Sequence, residues 1–284
     1  MSNEIMKEKI VMVTGANSGI GKAASLALAE MGATVVMVAR NKERGERARA
    51  EIVKETGNNS VDLLIADLSS LESVRQLAAD FHRKYSALHV LINNAGLFNQ
   101  RRNVTVDGYE NTFATNYLAT FLLTNLQLDL LKASAPSRIV NVSSVGHYNG
   151  HISFDDLNLE QNYGGWRAYG QSKLALVLFT HELAKKLEGT GVTVNSVHPG
   201  TVATNIWSRP LGPAGFIMSL PKLFMTSPEK GAETIVYLAS APGAAGFSGE
   251  YWQKLKVKKS SDESYDEAIA QRLWDVSAKL THLV

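Results

Sequence analysis

Short apolar runs of strand character alternate with helix-like stretches along most of this chain, and that order leaves few folds open. Residues 10–14, 34–39, 61–66, 90–92, 138–142 and 192–197 read as strands. Residues 22–31, a charged stretch through about residue 54, a stretch capped by Ser69-Ser70 and ending before His82, and residues 109–131 read as helices. Strands covered on both faces carry near-continuous Val/Ile/Leu runs, and parallel neighbours are joined by right-handed helical crossovers. The expected fold is therefore α/β, one doubly wound parallel sheet with helices on both faces. No repeat, low-complexity tract or linker interrupts residues 1–284, so a single domain is expected.

Composition narrows the function classes. Lys and Arg number 29 against 27 Asp and Glu, and the charges are interspersed, so nucleic acid is not an expected partner. With no cysteine the chain has no disulfide, thiolate zinc site or cysteine nucleophile, which accords with a reducing compartment. The N-terminus is polar and lacks the apolar core of a signal peptide, and no run of about 18 apolar residues marks a membrane span. A cytoplasmic location is expected.

The first strand leads into Thr14-Gly15-Ala16-Asn17-Ser18-Gly19-Ile20-Gly21-Lys22. Glycines between a strand and a helix let the backbone turn tightly and approach a pyrophosphate, which then rests on the helix N-terminus. The spacing is Gly-x-x-x-Gly-x-Gly rather than the commoner Gly-x-Gly-x-x-Gly. Dinucleotide binding is expected here, through Gly15, Asn17, Ser18, Gly19, Ile20 and Gly21. At the end of the second strand, where an NAD site carries a carboxylate for the ribose, this chain has Arg40, Asn41 and Lys42. An arginine suits a 2′-phosphate, so NADP(H) is preferred over NAD(H), with Arg40 and Asn41 as contacts. The alternative is that Arg40 only pairs with Glu43 or Glu46.

Further on, Tyr169 and Lys173 stand four residues apart where the apolar stretch 174–187 begins, so on a helix they project from one face. A fixed ammonium favours phenolate, and Lys173 is expected to lower the pKa of Tyr169. Alone, such a pair recurs by accident. It does not stand alone. With the glycine turn, several motifs resemble the short-chain dehydrogenase/reductase family. Asn93-Asn94-Ala95-Gly96 matches the family's structural signature, Thr115-Asn116-Tyr117 its active-site asparagine, and the second serine of Val142-Ser143-Ser144 its substrate-binding serine. Ala66-Asp67-Leu68 resembles the adenine contact. His198-Pro199-Gly200-Thr201-Val202 resembles the nicotinamide loop, with Thr204 near the carboxamide.

The resemblance implies a Rossmann-type domain and a catalytic set of Asn116, Ser144, Tyr169 and Lys173. Tyr169 is then the proton donor in reduction and the base in oxidation. Lys173 keeps its pKa low and holds the nicotinamide ribose, Ser144 binds the substrate oxygen, and Asn116 bends its helix and anchors a relay water. Asp67, Leu68, Asn94, Ala95, Gly96, Val142, Pro199, Gly200, Val202 and Thr204 join the expected cofactor contacts, with Tyr169 and Lys173. Ser144 and Tyr169 are 25 residues apart, and this long connection, containing Phe154-Asp155-Asp156-Leu157, resembles that of retinol dehydrogenases and related carbonyl reductases. So do Ser248-Gly249-Glu250-Tyr251 and the Gln271-to-Ser277 tail. The implied substrate is a lipophilic aldehyde or ketone, retinal-like or similar, interconverted with its alcohol. The anchor helix of membrane-bound retinol dehydrogenases is not expected here.

Residues 207–225 are apolar and punctuated by Pro210, Gly212, Pro213 and Gly215, and a substrate lid is expected over about 203–228. A packed surface excursion or a segment dipping into a membrane surface are its alternatives. Trp166, beside the tyrosine, lines the pocket or packs in the core. His147 and His151 lack a third ligand, so no metal site is expected. Lys254, Lys256, Lys258 and Lys259 read as a solvated hairpin or edge. The apolar face of 174–187 covers the sheet or forms a homo-oligomer contact. The competing class of function is a non-catalytic dinucleotide-sensing protein on the same fold, whose expected mark is a lost tyrosine, lysine or serine.

Overall fold

The computed structural model of the chain describes residues 5–200 and 226–283. Among these, eight strands form one sheet: β1 (Ile10–Thr14), β2 (Thr34–Ala39), β3 (Val61–Ile65), β4 (Val90–Asn93), β5 (Ser137–Val142), β6 (Val192–His198), β7 (Tyr251–Gln253) and β8 (Lys256–Lys258). Their order is β3-β2-β1-β4-β5-β6-β7-β8, parallel through β7, with β8 antiparallel at the edge. The chain therefore changes direction across the sheet between β1 and β4, the place where open α/β sheets bind ligands at their carboxyl ends.

Side chains alternate along each strand, and the sheet is apolar on both faces. On one face Val11, Val13, Val35, Met37, Ile92 and Val140 are buried under α1 (Gly19–Glu30), α2 (Lys42–Thr56) and α7 (Pro228–Ser240). On the other, Met12, Val36, Val38, Leu91, Ile139 and Val194 meet α3 (Leu71–Lys84), α5 (Ala119–Ala133) and α6 (Gly165–Lys186). Two of these helices begin earlier than their periodicity suggests. The apolar pattern of α1 starts at Lys22 but its backbone is helical from Gly19, and α6 starts at Gly165, so Tyr169 lies more than a turn inside it. Glycines at both starts carry no side chain to signal a helical face.

The stretch 109–131 forms α4 (Asn111–Phe113), a π turn (Ala114–Leu118) and α5 in continuous succession. A π turn widens a helix locally, and this one holds Thr115, Asn116 and Tyr117. Polar groups beneath it tie the layers together. Asn93 Nδ2 donates to Thr124 Oγ1 and Asn141 Oδ1, both at 2.9 Å, and Asn141 Nδ2 donates to Thr180 Oγ1 at 3.0 Å. The apolar face of α6 is buried within the chain, against the sheet and under α8 (Glu267–Leu280). There Trp274 stands 5.0 Å from Phe121 and 5.7 Å from Phe179, ring to ring, and Tyr117 hydrogen-bonds Ser277 at 2.8 Å.

β8 is exposed, and its lysines face solvent as an edge strand should. Lys259 pairs with Asp262 at 2.6 Å, whereas Glu263 turns to His151 and the backbone of Ile152, and Glu267 to Lys185. Among the described residues no helix is long and apolar enough to cross a membrane. Residues 203–225 of the lid expected over about 203–228, and the contacts expected at Val202 and Thr204, lie outside the described residues.

Candidate active site

A cleft of about 720 Å³ opens at the carboxyl ends of β1, β2, β4, β5 and β6. One end is built by the glycine turn. Gly15 has φ +66°, a conformation natural to glycine, and a methyl on it would touch Ala95 Cα at 3.0 Å. A methyl on Gly21 would collide with Asn94 Nδ2 and lie 2.5 Å from Gly15 O. Asn94 explains that crowding: its Nδ2 donates to Thr14 O at 2.8 Å, while Thr14 Oγ1 accepts from Asn94 N and Ala95 N. The turns after β1 and β4 are thus locked together. Ser18 occupies the cap position of α1 without a side-chain cap bond, so the first-turn N–H groups keep their donors for another acceptor.

Beside the turn, Val38, Ala39, Arg40, Ala66, Asp67 and Leu68 line the cleft. Glu43 and Glu46 pair with Arg47 and Arg49, and among the described residues Arg40 makes no ion pair, so the alternative reading of that arginine is not what is observed. Asn41 does something other than line the cleft. Its Oδ1 caps α2 by accepting from Arg44 N at 2.9 Å, the ordinary task of an asparagine before a helix. Asp67 lines the cleft while its carboxylate accepts from Ser69 N and Oγ at 3.0 and 2.7 Å.

At the other end, α6 brings Tyr169 and Lys173 to the end of β5. Both are buried. Lys173 Nζ donates to Val142 O at 2.8 Å and lies 5.6 Å from the Tyr169 ring centre. The Ser144 hydroxyl accepts from Gly146 N at 3.2 Å and stands near the Tyr169 ring across Gly146, where a methyl would lie 3.6 Å from Ser144 Oγ and 3.1 Å from Tyr169 Cε1. The expected low phenol pKa is corrected here. Burial drives the pKa of Tyr169 upward, and the neighbouring Ser144 hydroxyl only partly opposes it. Burial also brings Lys173 down to about 8. The ammonium is aimed at a carbonyl rather than at the phenol oxygen, so desolvation governs both groups.

Asn116, on the π turn, stands behind the cleft wall and does not line it. Its Oδ1 accepts from Leu97 N at 2.8 Å, and its Nδ2 donates to Leu97 O and Ser172 Oγ, each at 3.0 Å. It therefore clamps the loop after β4 to α6. A methyl on Gly96 would sit 3.4 Å from both Asn116 Oδ1 and Lys173 Nζ, so the glycine separates these two polar groups by the thickness of bare backbone.

The profile of the short chain dehydrogenase family matches residues 9–210. The chain belongs to the short-chain dehydrogenase family. Retinol dehydrogenase 13 of Homo sapiens is 46% identical over 282 residues, covering 97% of this chain and 85% of that protein. A solved protein from Mycobacterium paratuberculosis superposes with a TM-score of 0.80 at 33% identity, covering 97% of this chain and 94% of its own. A short chain dehydrogenase from Shigella flexneri, complexed with NADP, has a TM-score of 0.68 at 26% identity, with coverage of 88% and 98%.

The sequence-expected residues of this short-chain dehydrogenase mostly converge. Gly15, Asn17 to Gly21, Arg40, Asp67, Leu68, Asn94 to Gly96, Val142, Ser144, Tyr169, Lys173, Pro199 and Gly200 line one cleft, while Asn41 and Asn116 do not. Several contributors were not foreseen. Gly146 lies under the phenol, where a methyl would approach Tyr169 Cε1 to 3.1 Å. Phe98 packs 4.9 Å from Trp166 and 5.9 Å from Tyr169, and Trp166, 57% exposed, lines the cleft rather than the core. Thr14 organises two turns from one hydroxyl. The signal for Thr14 and Gly146 was adjacency to a motif residue; nothing in the local pattern marked Phe98, whose partners are about 70 residues away.

Proposed function

We propose that this chain is an NADP-dependent oxidoreductase that interconverts a lipophilic aldehyde or ketone with its alcohol. The observation that carries the reading is the juxtaposition of Ser144 and Tyr169 about Gly146, with Lys173 behind them, at one end of a cleft whose other end is the glycine turn. The residues present fit a dinucleotide. Gly15 and Gly21 let the turn pack tightly against Asn94 and Ala95 while its backbone lines the cleft, the uncapped N-terminus of α1 offers donors, and Arg40 makes no ion pair among the described residues. When bound, the nicotinamide supplies or accepts the hydride.

The chain's own residues position the carbonyl and move the proton. In reduction the substrate oxygen accepts hydrogen bonds from Ser144 and Tyr169, and negative charge growing on it is stabilised by both. Tyr169 Oη then gives its proton to that oxygen, and the resulting phenolate is held by the nearby Lys173 ammonium. A buried phenol with a raised pKa stands protonated at neutral pH, the state a proton donor needs. Val145, Trp166 and Phe98 give the substrate end of the cleft an apolar wall, which supports a lipophilic substrate. Similarity to retinol dehydrogenases supports the same choice. Nicotinamide absorbance over a panel of aldehydes and ketones of graded chain length tests it. Long apolar carbonyls should turn over best, and equal rates on short polar ones would contradict the lipophilic assignment.

The guanidinium of Arg40, which makes no ion pair among the described residues, supports NADP, as does the NADP complex of the Shigella flexneri relative. Arg40→Asp should shift the NADPH/NADH ratio of kcat/KM toward NADH by about a hundredfold, the worth of a lost charge-assisted phosphate contact together with a gained repulsion. An unchanged ratio would sink the assignment. The non-catalytic reading has no support in this site, because serine, tyrosine and lysine are all present and in register.

A further inference from the structure

We propose that His147 is a positioning residue for Ser144, holding the serine's turn beneath Tyr169 and tying it to the C-terminal segment at Ser261. The inference rests on the proposed reductase function and adds a residue to it. His147 lies in the short 3-10 helix Val145–Asn149 that follows Ser144, and its side chain is fully buried. Both ring nitrogens are committed. Ser261 N donates to Nε2 at 3.1 Å, and Nδ1 lies 2.6 Å from Ser144 O. A backbone N–H can only donate, so Nε2 is the acceptor, the ring is neutral, and the proton sits on Nδ1, donated to Ser144 O.

That carbonyl receives a second donor, the backbone N–H of His147, at 3.1 Å. Two donors on one carbonyl fix the peptide plane of Ser144 and hence the start of its turn. The same turn sets the hydroxyl, through Gly146 N at 3.2 Å, and presses Gly146 against the phenol ring. The imidazole also has its place fixed from outside, 4.1 Å from the Tyr148 ring and 4.6 Å from that of Tyr251. An apolar side chain would fill this volume. A ring that bonds the Ser144 backbone through one nitrogen and, through the other, the backbone of Ser261, 114 residues further along the chain from His147, does more, because it specifies a tautomer and a direction.

Three substitutions test this. His147→Leu fills much of the space without a donor, whereas in His147→Asn the amide Nδ2 stands where Nδ1 stood. Ser261→Pro removes the N–H that sets the tautomer, at a residue whose φ of −63° suits proline. His147→Leu should lower kcat about tenfold or more while KM and NADPH affinity, read by fluorescence titration, move less than twofold. His147→Asn should recover most of that loss despite the cavity it leaves. Ser261→Pro should lower kcat severalfold with its melting temperature kept, and it serves if His147→Leu does not fold. The proposal is overturned if His147→Leu or Ser261→Pro keeps wild-type kcat, or if His147→Asn loses as much activity as His147→Leu in step with thermal stability. A wild type that reduces no carbonyl in the panel overturns the function itself, whereas an active wild type with indifferent variants overturns only the role of His147.

Discussion

Replacing Tyr169 with phenylalanine is expected to lower kcat by about a thousandfold, the usual worth of a positioned general acid, with NADPH affinity changed less than threefold. The substitution is clean because the ring's surroundings survive it. Phe98 and Trp166 stand 5.9 and 6.3 Å from the Tyr169 ring centre, Gly146 lies against its edge, and all of these contact carbon. Only the oxygen goes, and with it the proton, while Ser144 keeps its acceptance from Gly146 N. Single-turnover reduction and cofactor titration on the same preparation separate chemistry from binding. Turnover above about a tenth of wild type would refute the acid role. Direction gives a second check from the same group. Since burial raises the phenol's pKa, alcohol oxidation, which needs phenolate, should climb with pH from neutral upward while aldehyde reduction stays flat over that range.

Much of this site could be read before the fold was known, for a physical reason. Gly15, Gly21, Asn94 and Ser144 sit where strands end and turns begin, and Tyr169 and Lys173 stand four apart on one helix face; both patterns are local, so short motifs and the family resemblance they carry reveal them. The parallel character of the sheet was legible as well, since strands alternating with helices force crossovers. What escaped the sequence depends on distant neighbours. Asn41 has the chemistry to bind a ribose or phosphate, yet a helix begins just after it, and capping uses its oxygen first. Asn116 was placed beside a relay, but its three bonds go to Leu97 and Ser172, partners fixed only once β4, the π turn and α6 assemble. The direction of the Tyr169 pKa was misread because proximity of Lys173 is visible at four-residue spacing, whereas burial of the phenol is not. Trp166 was undecided between pocket and core because both environments accept an indole; in the fold it packs beside Phe98, 4.9 Å away ring to ring, and both line the cleft.

Lys173→Met should make the cofactor-free protein more stable while abolishing efficient turnover. Lys173 is buried with Val142 O as its hydrogen-bond acceptor among the described residues, and its pKa falls from 10.5 to about 8 because burial penalises the ammonium. Between those values the unfolded chain binds more protons than the folded one, so stability rises with pH across that window. The penalty is full below pH 8 and fades toward pH 10.5. The gap corresponds to about 3 kcal/mol, and losing the bond to Val142 returns about 1 kcal/mol. A net gain of about 2 kcal/mol at pH 7 raises Tm by about 4–8 °C for a chain of this size. The difference from wild type should narrow by pH 10, and a variant no more stable at pH 7 would show that the buried ammonium is not costly. Its retention then has to come from the bound state. If the ammonium gains acceptors from the dinucleotide, NADPH should raise the Tm of wild type more than that of Lys173→Met, because a ligand stabilises by its affinity for the folded state alone. An equal rise in both would place the lysine's contribution in the chemical step, as the charge that holds the Tyr169 phenolate, and not in holding the cofactor.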